Sequence, residues 1–156
     1  MLATEATVRL GAYRRAILAL DPGARVDELA CELLVSLAEE GWDHDAVGEA
    51  IVRRYLENLD TAARTPDSVI LGCTHFPLLR DTFASVFEPG VSIVDSATTT
   101  AAAVRDLLEE LSLANGGTGV GSLTLLATDG ASRFARVGGR FLGADLSADD
   151  IGLVDL

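Results

Sequence analysis

Ser68-Val69-Ile70-Leu71-Gly72-Cys73-Thr74-His75-Phe76-Pro77-Leu78-Leu79 decides how the rest of the chain is read. Val69 to Leu71 form an aliphatic run without alternation, which predicts a strand covered on both faces. Gly72 stops it. A thiol, a hydroxyl and an imidazole follow, and then Leu78, Leu79, Phe83 and Phe87 recur at helical spacing. Pro77 suits the first turn of that helix, where a missing N–H costs nothing. Cys73, Thr74 and His75 are therefore expected at the carboxyl end of a parallel strand, where open α/β sheets bind ligands. A thiol serves as base or nucleophile only as thiolate, a form favoured by a helix N-terminus and by cationic imidazole. Free amides at the helix start also suit a carboxylate. A cysteine by itself reads as a core residue. Gly72, Thr74 and His75 around it shift the reading toward chemistry.

Working outward, Met1 to Ala3 reads as the tail of a strand, and Thr4 or Thr7 begins a helix through Val8, Ala12, Ile17 and Leu20 that ends at Asp21-Pro22-Gly23. A chain that opens on the last residues of a strand is expected to lack something upstream. Ala24 to Ala30 predicts a second strand, and Cys31 to Glu40 a short helix stopped by Gly41. Asp43 is placed to cap the next helix, which runs through Val47, Ile51, Tyr55 and Leu59 to a turn at Thr65. Beyond the central motif, Pro89-Gly90 introduces a strand from Val91 to Asp95. Thr98 to Leu113 then predicts a helix with Ala101, Val104, Leu107, Leu108 and Leu111 on its inner side. Leu123 to Ala127, Ser132 to Leu142 and Ile151 to Leu156 read as strand, helix and strand. The order predicts an α/β fold with a parallel sheet.

Composition supports that class and excludes others. The chain has 156 residues, 49% of them hydrophobic and 5% aromatic, enough for a packed core of small aliphatic side chains. Its net charge of -12 repels phosphate backbones and anionic lipid heads, so neither nucleic acid nor a membrane is expected as a partner. No apolar run approaches the roughly 18 residues of a membrane span. Glu5 and Arg9 interrupt the start where a signal peptide needs apolar residues. Two cysteines make no disulfide framework and fit a reducing cytoplasm. Asn115 to Ser122, N-G-G-T-G-V-G-S, follows a helix and opens a strand, the reverse of a phosphate loop, and reads as a connector.

Gly72 to Leu79, G-C-T-H-F-P-L-L, resembles the second cysteine motif of the cofactor-independent glutamate racemases, in the aspartate/glutamate racemase superfamily. Leu2 to Tyr13, L-A-T-E-A-T-V-R-L-G-A-Y, is similar to that family's L-A-T-x-x-T-V-x-S-G-x-Y. Ala30 to Trp42 resembles A-C-P-x-x-V-P-x-V-E-E-G, and Val94-Asp95-Ser96 with its helix also falls in place, so the likeness covers nearly the whole chain. Departures are Leu10 for a frequent serine, and Glu32 and Ser36 for two prolines. The family's first-domain motifs, D-S-G-x-G and A-C-N-T, are absent.

The resemblance implies two facing flavodoxin-like domains, the chain entering the second and returning to finish the first. Residues 1–95 correspond to the second domain. Residues 96–156 are the returning piece of a first domain whose opening half is absent. The implied chemistry is interconversion of L- and D-glutamate for peptidoglycan, with no cofactor and no metal. One thiolate removes the α-proton and a thiol on the opposite face returns one, which is general acid/base catalysis. Cys73 matches the second thiol and His75 the imidazole that assists it. Glu39, in preference to Glu40, matches the acid that orients His75. Thr74 and His75 match substrate-binding positions, and Thr4 and Thr7 a pair near the substrate; read alone, either threonine is a helix cap, and the two glutamates a solvated face.

Cys31 is not the absent first thiol, because A-C-E-L matches the later A-C-P segment, and it reads as structural. Zinc at Cys31, His44, Cys73 and His75 fits no common ligand spacing, and His44 is expected on the surface. Two partners fit: a second copy, forming a homodimer, or the absent first half. Alone, the chain is expected to be marginally stable and inactive. The alternatives are a non-catalytic descendant that binds an amino acid or a protein, and a one-thiol enzyme with Cys73 as nucleophile and His75 as base.

Overall fold

The computed structural model describes residues 1–42, 46–59, 65–117, 119 and 121–155. By its contacts the chain forms two compact units, Met1–Leu113 and Ala114–Leu156.

In the first unit four strands, β1 (Leu2–Ala3), β2 (Leu29–Ala30), β3 (Ser68–Leu71) and β4 (Ser92–Asp95), form a sheet of order β2-β1-β3-β4. Every pairing is parallel, and β3 and β4 run in register from Ser68 opposite Ser92 to Leu71 opposite Asp95. The expected α/β class with a parallel sheet is the fold observed, and the order is that of flavodoxin-like sheets. Parallel neighbours need crossovers, and helices α1 (Glu5–Leu10), α2 (Ala12–Leu20), α3 (Leu33–Glu40), α4 (Ala46–Leu56) and α5 (Arg80–Val86) lie along them. Leu34, Leu37, Val52, Leu71, Phe76, Leu79 and Phe83 form the buried centre of the core. Gly72 sits where β1 and β3 approach too closely for a side chain. A Cβ there would lie 3.1 Å from the Ala3 Cβ and 3.2 Å from the Leu2 carbonyl oxygen.

Several boundaries differ from those expected, each for a local reason. The first helix breaks into α1 and α2 at Gly11, whose φ of 59° is left-handed. Thr4 precedes α1 without a side-chain cap. Only Leu29 and Ala30 of the expected strand 24–30 pair with β1. Directly after His75 comes a 3-10 turn, Phe76–Leu79, with α5 starting only at Arg80. Pro77 sits in the first turn of that 3-10 segment, as its fixed φ allows. The helix expected to reach Thr65 ends at Leu56. Asp43 and His44, expected as a cap and a surface residue, lie outside the described residues.

Helix α6 (Ser96–Glu110) begins two residues earlier than expected, and the side expected to face inward does not. None of its residues is buried, and Val104, Leu107, Leu108 and Leu111 are exposed. The second unit holds β5 (Leu125–Ala127), α7 (Ala131–Leu142) and β6 (Ile151–Leu153), with β5 and β6 a parallel pair. Ala135 and Gly139 of α7 and Ile151 of β6 are its buried residues. Gly139 lies so close to the Ala144 carbonyl that a Cβ would meet it at 2.6 Å.

Candidate active site

The carboxyl edge of the four-stranded sheet gathers most of the residues singled out from the sequence. β3 ends at Leu71, and Gly72 donates its N–H to Leu2 O at 2.8 Å, which brings the turn that follows beside the end of β1. Cys73 and His75 lie on this turn, half-buried, with Thr74 exposed between them. The Sγ of Cys73 is 4.0 Å from Nδ1 of His75. On the other side of the ring, Nε2 of His75 is 3.3 Å from Oε1 of Glu39. Glu39 reaches it from the last turn of α3, whose register is fixed by the buried Leu34, Leu37 and Ala38 and whose end is set by Gly41 at a φ of 83°. The two nitrogens thus have different partners. A hydrogen on Nε2 donated to Glu39 leaves the lone pair of Nδ1 toward the sulfur; with the ring protonated, the Glu39 contact becomes an ion pair.

Thr4 and Thr7 stand at the neighbouring edge, at the end of β1 and in α1. Their hydroxyl oxygens are 3.1 Å apart. Glu32, noted in the sequence only as standing in place of a proline, accepts the N–H of Glu5 on Oε1 at 2.5 Å and so ties the start of α1 to the start of α3. No sequence pattern marks that contact, which joins residues brought together by the β1–β2 pairing.

Cys31 differs from Cys73 in its burial. It is wholly buried, its N–H bonds to Ala3 O at 2.8 Å and its Sγ to Leu29 O at 3.6 Å. Burial pushes its thiol from 9.0 up to about 12, with Glu32 raising it further and the chain's amino terminus only partly offsetting them. Such a thiol neither ionises near neutrality nor meets a substrate. Among the described residues no group of three or more His, Cys, Asp or Glu is arranged to hold a metal, and no helix is long and apolar enough to cross a membrane.

Asp95, at the end of β4, lies on the same edge. Burial works to raise its carboxyl, but the Thr98 amide and hydroxyl, the Arg80 guanidinium and the Ala97 amide together hold it below the usual 3.8. Its Oδ1 accepts the Thr98 N–H at 2.8 Å and caps α6. Asp95-x-x-Thr98 is a readable cap, but it moves the helix start forward from the expected Thr98. A cavity of about 380 Å³ lies at the opposite, amino end of the strands, among Met1, Asp67, Ser68, Val69 and Phe87. Thr4, Thr7, Glu39, Cys73, Thr74, His75 and Asp95 do not line it. Cys73 and Thr74 lie instead on an open edge.

Residues 1–104 match the family described as Asp/Glu/Hydantoin racemase. Among curated proteins, the glutamate racemase of Geobacter metallireducens is 38% identical over 146 residues, covering 94% of this chain and 53% of that protein. That of Desulforudis audaxviator is 40% identical over 151 residues, covering 93% of this chain and 55% of the relative. The chain spans about half the length of the curated relatives it matches. Among solved structures, the Francisella tularensis glutamate racemase in complex with D-glutamate superposes with a TM-score of 0.83 at 28% identity, over 99% of this chain and 56% of that one. The Thermus thermophilus glutamate racemase in complex with β-chloro-D-alanine gives 0.78 at 35% identity, over 99% and 55%. The motif around Cys73, the parallel sheet that presents it and these matches lead to one assignment: the chain belongs to the Asp/Glu/Hydantoin racemase family.

Proposed function

We propose that this chain carries one of the two proton-transferring halves of a cofactor-independent glutamate racemase, with Cys73 as its working thiol. The observation that carries the reading is the run Cys73 Sγ, His75 Nδ1, His75 Nε2, Glu39 Oε1 at the carboxyl edge of β3. Deprotonated, Cys73 takes the α-proton of glutamate; the electron pair left on Cα is shared with the substrate carboxylate, and a thiol on the opposite face delivers a proton there. His75 holds or returns the Cys73 proton, and Glu39 fixes the ring so that Nδ1 faces sulfur. Thr74 contributes a hydroxyl and an amide to the substrate carboxylate, with Thr4 and Thr7 beside it. Inversion needs two faces, and the buried Cys31 does not supply the second. The opposing thiol therefore belongs to a complementary half.

On this reading residues 1–95 are the second racemase domain and residues 96–156 complete the first. The product, D-glutamate, serves peptidoglycan synthesis in the cytoplasm, where two free thiols persist. Mixing the chain with the first half of a related glutamate racemase tests the proposal. D-glutamate should form from L-glutamate only when both halves are present, and should not form with Cys73→Ala. Two halves that fold and associate yet give no D-glutamate contradict it.

A further inference from the structure

The turn that carries Cys73 and His75 continues as a hydrogen-bonded ladder. Phe76 donates its N–H to Cys73 O and Leu78 to His75 O, each at 3.1 Å, and Arg80 donates to Pro77 O. The buried Phe76 and Leu79 fix its apolar side. A polar clamp holds its far end to the neighbouring strand. Nη1 of Arg80 is 2.5 Å from Oδ2 of Asp95, and Nη2 donates to Ile93 O at 3.0 Å. Asp95 is itself only 3% exposed and stands opposite Leu71, two residues before Cys73.

We propose that Arg80 is a positioning residue for Cys73. Bonds of the 3-10 type have poor geometry, so the ladder by itself leaves the turn soft. A guanidinium that grips a carboxylate and a carbonyl two residues apart fixes both the height and the direction of the turn along β4, which a one-point contact does not. Fixed in this way, Sγ stays opposite Nδ1 and Nε2 stays opposite Glu39. The Arg80 side chain is 47% exposed, so its pairing adds little to stability and its effect is on geometry. The role presupposes that Cys73 is the working thiol, but its test reads the thiol and not turnover, so it stands or falls apart from racemisation.

The test is alkylation of Cys73 by iodoacetamide in the full chain, followed by mass spectrometry across neutral and alkaline pH, with Cys31 as the buried internal control. His75→Asn first sets the contribution of the imidazole. Arg80→Met should slow alkylation at neutral pH by a factor comparable to that of His75→Asn, since both disturb the same arrangement of sulfur and imidazole. Adding His75→Asn to it should bring little further loss, because both changes break one arrangement. Arg80→Lys, which keeps one contact, should fall between. Asp95→Asn should reproduce Arg80→Met while keeping the cap of α6, since asparagine caps as well as aspartate. Folded Arg80→Met or Asp95→Asn chains, judged by circular dichroism and melting, whose alkylation stays within about twofold of the parent would overturn the proposal. So would losses that simply add to that of His75→Asn. Should Arg80→Met fail to fold, Asp95→Asn decides by the same two outcomes.

Discussion

His75 joins Glu39 to Cys73: one ring nitrogen lies 3.3 Å from the carboxylate and the other 4.0 Å from the sulfur. The three residues come from two elements, α3 and the turn after β3, so their meeting depends on tertiary packing. Glu39→Gln keeps the size of the side chain but removes the charge that holds Nε2. In a reconstituted enzyme it should lower kcat by less than Cys73→Ala, whose loss is expected at about 10²–10⁴-fold for a general acid/base group. Glu40→Gln in parallel provides the control, and equal losses from the two variants would contradict the assignment.

The two thiols should separate cleanly. Native chain treated with a disulfide reagent at neutral pH should yield one reactive cysteine, Cys73, and two after unfolding. Cys31 also imposes a pH dependence on stability. Its folded pKa, about 12, lies above its ordinary 9.0, so the fold favours the protonated thiol. The resulting stabilisation is complete below about 9 and is lost as pH rises toward 12. Urea midpoints of Cys31→Ala should fall less steeply than those of the parent over that window. An identical slope would remove the linkage.

Asp95 acts in the opposite sense. Its folded carboxyl lies below 3.8, so its contribution is present above that value and disappears as pH falls through the folded pKa. Asp95→Ala removes the α6 cap and should cost about 1–2 kcal/mol in urea unfolding near neutrality, with Asp95→Asn costing much less. Equal costs for the two would show that the cap contributes nothing.

Gly72 separates chemistry from packing. A methyl group there meets the Ala3 Cβ at 3.1 Å and the Leu2 backbone at 3.2 Å, atoms that cannot swing aside. Gly72→Ala should destabilise the chain by about 1–3 kcal/mol and displace the Cys73 turn. An unchanged melting temperature would mean that β1 and β3 are less tightly opposed than described.

Much of this was legible in the sequence because it is written locally. The aliphatic run before Gly72 gave a strand, Gly41 a helix stop, and Pro89-Gly90 the start of β4. Resemblance alone favours Glu39 over Glu40 in the sequence, whereas its 3.3 Å approach to His75 depends on the packing of Leu34, Leu37 and Ala38. What could not be read is non-local. Whether the apolar stripe of α6 is covered depends on its neighbours, and Val104, Leu107, Leu108 and Leu111 are exposed here. Leu108→Gln should accordingly change stability by no more than about 0.5 kcal/mol, whereas Leu34→Ala in the core should cost about 2–5 kcal/mol. The Glu32 contact to Glu5 and the grip of Arg80 on Asp95 also join residues distant in sequence, and no spacing rule finds them.

Exchange of the glutamate α-proton for solvent deuterium reads the work of Cys73 itself. With the chain joined to the first half of a related racemase in heavy water, deuterium should enter Cα, and Cys73→Ala should suppress its incorporation starting from the enantiomer whose α-proton faces that sulfur. Undiminished incorporation from both enantiomers in the folded, associated Cys73→Ala chain would show that another group moves the proton.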